Sequence, residues 1–269
     1  MRYETIHNNQ IPKIGFGTYS IGGGNDADPS QDDVSMRALR SALEIGYTHF
    51  DTAEGYASGR SEELLGKAIR EAGMRRESLF ITTKVSQNHL QYDDVLRSCE
   101  NSLRRLNMDY IDLYLIHWPN RGTRYEDTFR ALNKLVQEGK VRHLGVSNFD
   151  LKLLQQAVSL SETPLLTNQV PYSIPDRTYQ ENGVLEYCQQ NDVLLTAYTP
   201  VKPRNMAGNK ALQAVAEARG VTPQQIALAW LTTQPRVITI PRSKDPQHQR
   251  ENFEAGDIVL TDAEMAQLG

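Results

Sequence analysis

The sequence predicts an α/β fold in which eight strands alternate with helices and close into a (β/α)8 barrel of the TIM type, with an N-terminal β-hairpin capping one end. Three observations carry this expectation. Short β-favouring apolar runs alternate with stretches whose apolar residues recur at spacings of three and four, from about residue 14 to residue 241. Strands separated by helical crossovers pair in parallel, and eight such units in about 250 residues close more readily than they form an open sheet. No composition shift marks a second domain, so residues 1–269 are expected to form a single unit.

Residues 3–14, YETIHNNQIPKI, read as two extended runs about an Asn-Asn turn, which is the hairpin. The first barrel strand falls near 14–17. Gly15 and Gly17 are not followed by the third glycine and helix of a dinucleotide fingerprint, so they support a phosphate loop only weakly, and Gly22, Gly23 and Gly24 read as a flexible loop. Helix 31–46 places Leu39, Ala42 and Leu43 on one face and leads to strand 48–51. Helix 61–73, with a Gly stop, precedes strand 79–84, and helix 90–106 precedes strand 110–117. The remaining pairs are helix 125–139 with strand 141–147, helix 150–160 with strand 165–169, and helix 179–191 with strand 193–198. Helices 209–219 and 222–234 follow, the second opened by a capping box at Thr222 and Gln225 with Pro223 in its first position. Strand 237–241 and a helix from Pro246 complete the alternation, and Thr261 with Glu264 forms another capping box.

With 29 basic against 33 acidic side chains, a net charge of −4 and no long run of either sign, the composition argues against a nucleic-acid or membrane surface. No stretch approaches about eighteen consecutive apolar residues, and the N-terminus lacks the layout of a secretory signal, so a cytoplasmic protein is expected. Cys99 and Cys188 both sit on apolar helical stripes and read as core thiols. The six histidines show no metal-binding spacing.

In a closed parallel barrel the reactive groups lie at the carboxyl ends of the strands. Those ends here are Asp51, Lys84, His117, Ser147-Asn148, Gln169, Tyr198 and Arg242-Ser243. A polar ending on one strand is ordinary, and Asp51 alone could be a helix cap; titratable groups on three successive strands suggest a reaction site. Lys84 emerges from an apolar strand and should take Asp51 as its counter-ion. That pair beside Tyr56 should favour the phenolate and lower a pKa of about 10. Tyr56 then becomes a proton donor, and His117 can orient a substrate oxygen. A proton donor and an oxygen-orienting imidazole without nucleophile or metal fit reduction of a carbonyl, with hydride from a cofactor. A lyase using Lys84 as a Schiff-base amine is the competing barrel chemistry; Asp51 would oppose it by keeping the amine protonated.

The motifs GFGTYS, FDTAEGYASGRSEELLGKAI, ITTKV, LYLIHWP, LGVSNF, NQVPYS, AYTPV and IPRSKDPQHQREN, in that order and across nearly the whole chain, resemble the aldo-keto reductase family. The resemblance implies a barrel that binds NADPH extended over the strand ends. It implies Tyr56 as general acid, Lys84 and Asp51 tuning it, and His117 positioning the substrate. Ser147, Asn148 and Gln169 match positions that hold the nicotinamide carboxamide, and Tyr198 matches the ring that stacks on the nicotinamide. Gly17, Thr18 and Tyr19 line the nicotinamide side, and Thr199 and Val201 lie where the pyrophosphate passes. Pro200, Ile240 and Pro241 belong to the same cofactor-binding set, and Glu251 and Asn252 match the adenine contacts.

Two positions depart from the family pattern. Arg242 stands beside Ser243 where a lysine is usual, and His248 stands five residues after Ser243 where an arginine is usual. An arginine can still clamp a 2′-phosphate, with Arg250 nearby, so NADPH is the implied cofactor and the weakened site also admits NADH. Ser86 follows Val85 where relatives often carry an aromatic, which widens the expected substrate pocket, and Tyr19 and Trp118 remain as its walls. The chain ends soon after Leu268, so no long C-terminal loop is expected to narrow specificity. The expected substrates are small aldehydes, dicarbonyls and open-chain sugars, acted on by a monomer with no nucleic-acid or membrane partner. Related barrels also serve as nucleotide-sensing subunits of membrane channels, which is the alternative to an enzyme.

Overall fold

The structure is a computed structural model and describes every residue except 202–205 and 207. Two short strands, β1 (Tyr3–Ile6) and β2 (Asn9–Pro12), pair antiparallel with Ile6 opposite Asn9. The turn therefore falls on His7-Asn8, one residue before the expected Asn-Asn pair. Both residues adopt positive φ, 45° and 64°, which is what a two-residue hairpin with right-handed strand twist requires.

Eight strands then run in parallel in sequence order: β3 (Phe16–Gly17), β4 (His49–Asp51), β5 (Phe80–Val85), β6 (Ile111–Ile116), β7 (Val141–Ser147), β8 (Thr167–Pro171), β9 (Leu194–Tyr198) and β10 (Val237–Thr239). The sheet closes between its first and last members. Ile14 bridges Thr239 in parallel, the Gly15 amide donates to the Thr239 carbonyl at 2.8 Å, and the Thr239 amide donates to the Lys13 carbonyl at 2.9 Å. Among the described residues, closure leaves the eight-stranded sheet without an open edge.

The side-chain period of two explains how each strand serves two cores. On β6, Leu113 and Leu115 face the barrel interior and cluster with Leu166, Leu194 and Ile238, whereas Tyr114 and Ile116 join the larger core under the helices. Ile6 and Ile11 of the hairpin belong to the interior cluster, so the hairpin plugs one end of the barrel. Lys13 fastens it there: its ammonium donates to the carbonyls of Gln234 and Val237 at 3.0 and 3.1 Å and pairs with Glu4.

The crossover helices follow the periodicity closely, among them Asp32–Ile45, Arg60–Glu71, Tyr92–Leu106 and Tyr125–Gln137. Both capping boxes form, at Thr222 with Gln225 and at Thr261 with Glu264. The single helix expected over 179–191 is instead two, Thr178–Glu181 and Val184–Gln190. Gly183 lies between them at φ 83°, a left-handed conformation that ends one helix and starts the next. Cys99 and Cys188 are free and buried.

Candidate active site

Asp51 and Lys84 stand at the carboxyl ends of adjacent strands, in register such that Asp51 neighbours Thr82. Lys84 has no solvent exposure and Asp51 only 2 %, so each charge needs partners inside the protein. The Lys84 ammonium donates to Asp51 Oδ1 at 2.5 Å, to the Thr52 carbonyl at 2.8 Å and to the Tyr56 hydroxyl at 3.2 Å. The second Asp51 oxygen accepts from Gln169 Nε2 at 2.7 Å.

The bonding continues around the strand ends. Ser147 Oγ donates to the Gln169 carbonyl at 2.8 Å, Asn148 Nδ2 donates to Ser147 Oγ at 2.9 Å and to the His117 carbonyl at 3.1 Å, and the Tyr198 hydroxyl donates to Asn148 Oδ1 at 2.8 Å. Polar residues from β4, β5, β7, β8 and β9, read separately from the sequence, thus form one hydrogen-bonded chain from Tyr198 to Tyr56. Asn148 adopts φ 63°, which aims its amide back into this chain.

Tyr56 reaches its place from a turn that is unusual in itself. Ala57 and Ser58 follow it with φ of 49° and 51°, and their amides donate to the carbonyls of Gly24 and Asn25 at 2.9 and 3.0 Å. The glycine-rich loop expected to be flexible is therefore pinned against this turn, and it is closed on itself by the Asp28 amide bonding the Gly22 carbonyl at 2.7 Å. The Tyr56 ring meets His117 edge-on at 5.5 Å and Tyr19 edge-on at 5.3 Å.

Burial governs the ionisation of these groups. It pushes the Asp51 carboxyl up, opposed by the Lys84 ammonium and the Gln169 amide. It acts to lower Lys84, but Asp51 and Tyr56 together outweigh it and the ammonium is held above its ordinary value. For Tyr56 burial exceeds the pull of Lys84, so the phenol is raised. This corrects the expected lowering: the cation is present at 3.2 Å, but removal from water costs the phenolate more than one ammonium, itself shared with Asp51, returns. Tyr56 is therefore protonated throughout the neutral range. His117 is lowered to about 3 by burial and by Lys84, so its imidazole is neutral.

A cavity of about 960 Å³ opens above these residues. Asp51, Tyr56 and His117 form part of its floor, with Ser147, Asn148, Gln169 and Tyr198 beside them. Gly17, Tyr19 and Trp118 stand at one side. Thr199, Pro200 and Val201 continue the wall, which runs through Ile240 and Pro241 to Arg242, Ser243, His248, Glu251 and Asn252. Tyr19 and Trp118 are roughly half exposed, at 48 % and 44 %. Along this wall the Arg242 guanidinium bonds Ser20 Oγ, and Ser243 Oγ accepts from the Asp245 amide at 3.0 Å. Asp245 in turn caps helix Pro246–Glu254 through the amides of Gln247 and His248.

Four residues named from the sequence do not line the cavity, the solvent-exposed Arg250 among them. Lys84 lies beneath it, behind Tyr56. Thr18 is buried, its Oγ1 accepting from Ser61 Oγ at 2.8 Å. Ser86 is held elsewhere, its amide donating to Glu54 Oε1 at 2.7 Å. Conversely Asn25, Gly55, Thr222 and Gln224 line the cavity and were not singled out as site residues. Thr222 and Asn25 had signals, a capping box and a glycine-rich loop, but both signals speak of backbone and not of a ligand.

Comparison with known proteins agrees with this geometry. The model of the aldo/keto reductase family matches residues 13–269. The chain is 36 % identical over 264 residues to the glyoxal reductase of Bacillus subtilis, covering 98 % of this chain and 90 % of that protein. It is also 36 % identical to the methylglyoxal reductase YeaE of Escherichia coli, covering 96 % and 90 %. Among solved structures, the thermostable aldo-keto reductase Tm1743, crystallised with the inhibitor epalrestat, superposes with a TM-score of 0.94 at 44 % identity, over 100 % of this chain and 98 % of that one. An aldo/keto reductase from Klebsiella pneumoniae in complex with NADP and acetate superposes with a TM-score of 0.88 at 36 % identity, over 100 % and 94 %. With the barrel closed, the strand-end groups joined in one cavity and the family's pattern matched over nearly the full length, the chain belongs to the aldo/keto reductase family.

Proposed function

We propose that this protein reduces small aldehydes and ketones to alcohols with NADPH, reactive dicarbonyls and open-chain sugars among them, and that Tyr56 supplies the proton. The observation that carries the reading is the Tyr56 hydroxyl, set on the cavity floor 3.2 Å from a fully buried ammonium and in ring contact with a neutral imidazole. The glyoxal and methylglyoxal reductases among its relatives support the substrate class.

The cavity suits a dinucleotide. Its volume is near the upper end of the usual range for ligand sites. A half-buried Tyr198 ring, held by Asn148, offers a flat face, and Arg242, Ser243 and His248 on the cavity wall offer groups for a phosphate. When bound there, the reduced nicotinamide supplies the hydride. Ser147, Asn148 and Gln169 would hold its carboxamide, and Glu251 and Asn252 its adenine. Arg242 and His248 in place of the usual cations leave room for NADH as a second reductant.

The residues of the chain then divide the remaining work. His117 is neutral and has a ring N–H to give, so it orients the carbonyl oxygen without exchanging its proton. Tyr56 is protonated near pH 7 and transfers its proton to that oxygen as negative charge develops there. The ammonium of Lys84 lies against the phenolate that remains, and Asp51 keeps the ammonium charged and in place. Tyr19 and Trp118 border the substrate end, and no bulky group from Ser86 intrudes. The proposal takes residues 1–269 as one catalytic domain, acting as a monomer in the cytoplasm where reduced cofactor is supplied.

The test is the fall in reduced-nicotinamide absorbance with NADPH or NADH against a panel of dicarbonyls, simple aldehydes, aldoses and bulky ketones. Turnover of dicarbonyls with NADPH is expected. No decrease above background with any member, despite tight cofactor binding, would favour the nucleotide-sensing alternative.

A further inference from the structure

We propose that Glu54 is a positioning residue that fixes the Tyr56 hydroxyl over Lys84, an inference that rests on the reading of Tyr56 as proton donor. Glu54 lies in the loop between Asp51 and Tyr56, and its side chain is only 9 % exposed. A carboxylate so far from water needs strong partners. Glu54 Oε1 accepts from the Ser86 amide at 2.7 Å and faces His89 Nδ1 at 2.8 Å, while the Glu54 amide donates to the Lys84 carbonyl at 3.3 Å. One residue thus ties the loop that carries Tyr56 to the strand end that carries Lys84, at the Lys84 carbonyl and at the Ser86 amide two residues on.

The tie has a geometric purpose. Tyr56 hangs between Glu54 and the left-handed pair Ala57-Ser58, which the glycine-rich loop holds from the other side. Loss of the Glu54 carboxylate would remove the tie to Ser86 and leave that second anchor, together with the backbone bonds of the Glu54 amide to Lys84 and of the Tyr56 amide to the Ala53 carbonyl, to fix the turn. A hydrogen bond from an amide to a carboxylate is about twice as strong as one to a neutral acceptor. The neighbouring loop is stitched in the same way: Asn120 Nδ2, three residues beyond His117, donates to the Gln87 carbonyl at 2.8 Å. Glu54 does not line the cavity, so it acts through Tyr56 and not on substrate. A misplacement of a reacting group by about 1 Å can cost on the order of 100-fold in rate.

The experiment compares Glu54→Ala, Glu54→Gln, His89→Ala and Tyr56→Phe in the full-length protein. It measures kcat and KM for a small dicarbonyl, NADP+ affinity by calorimetry, and the thermal midpoint. Glu54→Ala is expected to lower kcat by roughly 10- to 100-fold, with KM and NADP+ affinity within about twofold of the parent. Glu54→Gln should recover to within about fivefold, because its amide oxygen still accepts from the Ser86 amide. His89→Ala should stay within about twofold, because the bond to Ser86 survives it. If Glu54→Ala keeps the parent kcat while Tyr56→Phe is inactive, the positioning role is wrong and the proton-donor reading stands. If Glu54→Ala and Glu54→Gln lose rate, midpoint and cofactor affinity together, Glu54 is merely structural and the proposal is again overturned. Full turnover by Tyr56→Phe would overturn the underlying reading, and the proposal with it.

Discussion

Replacing Lys84 with methionine removes one positive charge from a position with no solvent exposure, 2.5 Å from Asp51 and 3.2 Å from the Tyr56 hydroxyl. At that second distance, with an effective dielectric constant of about 20, an ammonium stabilises a phenolate by about 5 kcal/mol. Realised by half at the transition state this is a factor of roughly 10² in kcat, and realised fully roughly 10⁴. The variant should also be less stable by about 3–5 kcal/mol, since the Asp51 carboxylate is left with Gln169 as its remaining side-chain partner. That stability loss should deepen as pH rises. The folded-state pKa of Asp51 is already raised and goes higher without Lys84, so the unfolded chain gives up the proton first and gains stability relative to the fold as pH increases. Adding Asp51→Asn should restore much of the stability and none of the rate. Steady-state kinetics with a dicarbonyl, alongside urea midpoints at two pH values, measure all of this. A Lys84→Met protein with kcat within about threefold of the parent would refute the electrostatic argument.

The buried histidines predict a pH effect on stability. His49 and His117 are both lowered to about 3 by burial with Lys84 adding to it, so the unfolded chain takes up their protons first, at about 6.5. Their contribution is complete above about pH 6.5 and is lost as pH falls toward 3, at up to about 1.4 kcal/mol per pH unit for each. Between pH 7 and 5 the parent should therefore lose about 2 kcal/mol more stability than His49→Asn, and equal losses in urea midpoints would contradict the assignment. On the cavity wall, His248→Arg should tighten NADP+ by about tenfold while leaving NAD+ unchanged, because only the first carries a 2′-phosphate for the guanidinium to clamp. Calorimetry reads both affinities, and an equal gain for the two would show that residue 248 does not meet that phosphate.

The strand ends were legible because a parallel barrel makes position in the fold follow from position in the strand. Once the apolar runs ending at Asp51, Lys84, His117, Ser147, Gln169 and Tyr198 are recognised, the topology brings those residues to one opening. What periodicity cannot carry is the direction of side chains in loops. Thr18 and Ser86 follow strands and look equally available, yet one bonds Ser61 and the other has its amide held by Glu54. Glu54 sits two residues from Tyr56 in a motif read closely, and nothing in its spacing marks it as a tie to another loop. The sign of the Tyr56 shift was missed for a different reason: the sequence shows that a cation is near but not how thoroughly the ring and hydroxyl are removed from water. Pinning of the glycine-rich loop depends on backbone carbonyls, which residue types do not reveal.

In the proposed reaction one phenol hydroxyl delivers the proton that completes carbonyl reduction. Its most direct test is kcat of Tyr56→Phe with NADPH and a small dicarbonyl, measured beside NADP+ affinity. A fall of at least about 10³ in kcat, with cofactor affinity within about twofold of the parent, is the predicted result. A phenylalanine variant that turned over within about tenfold of the parent would contradict it.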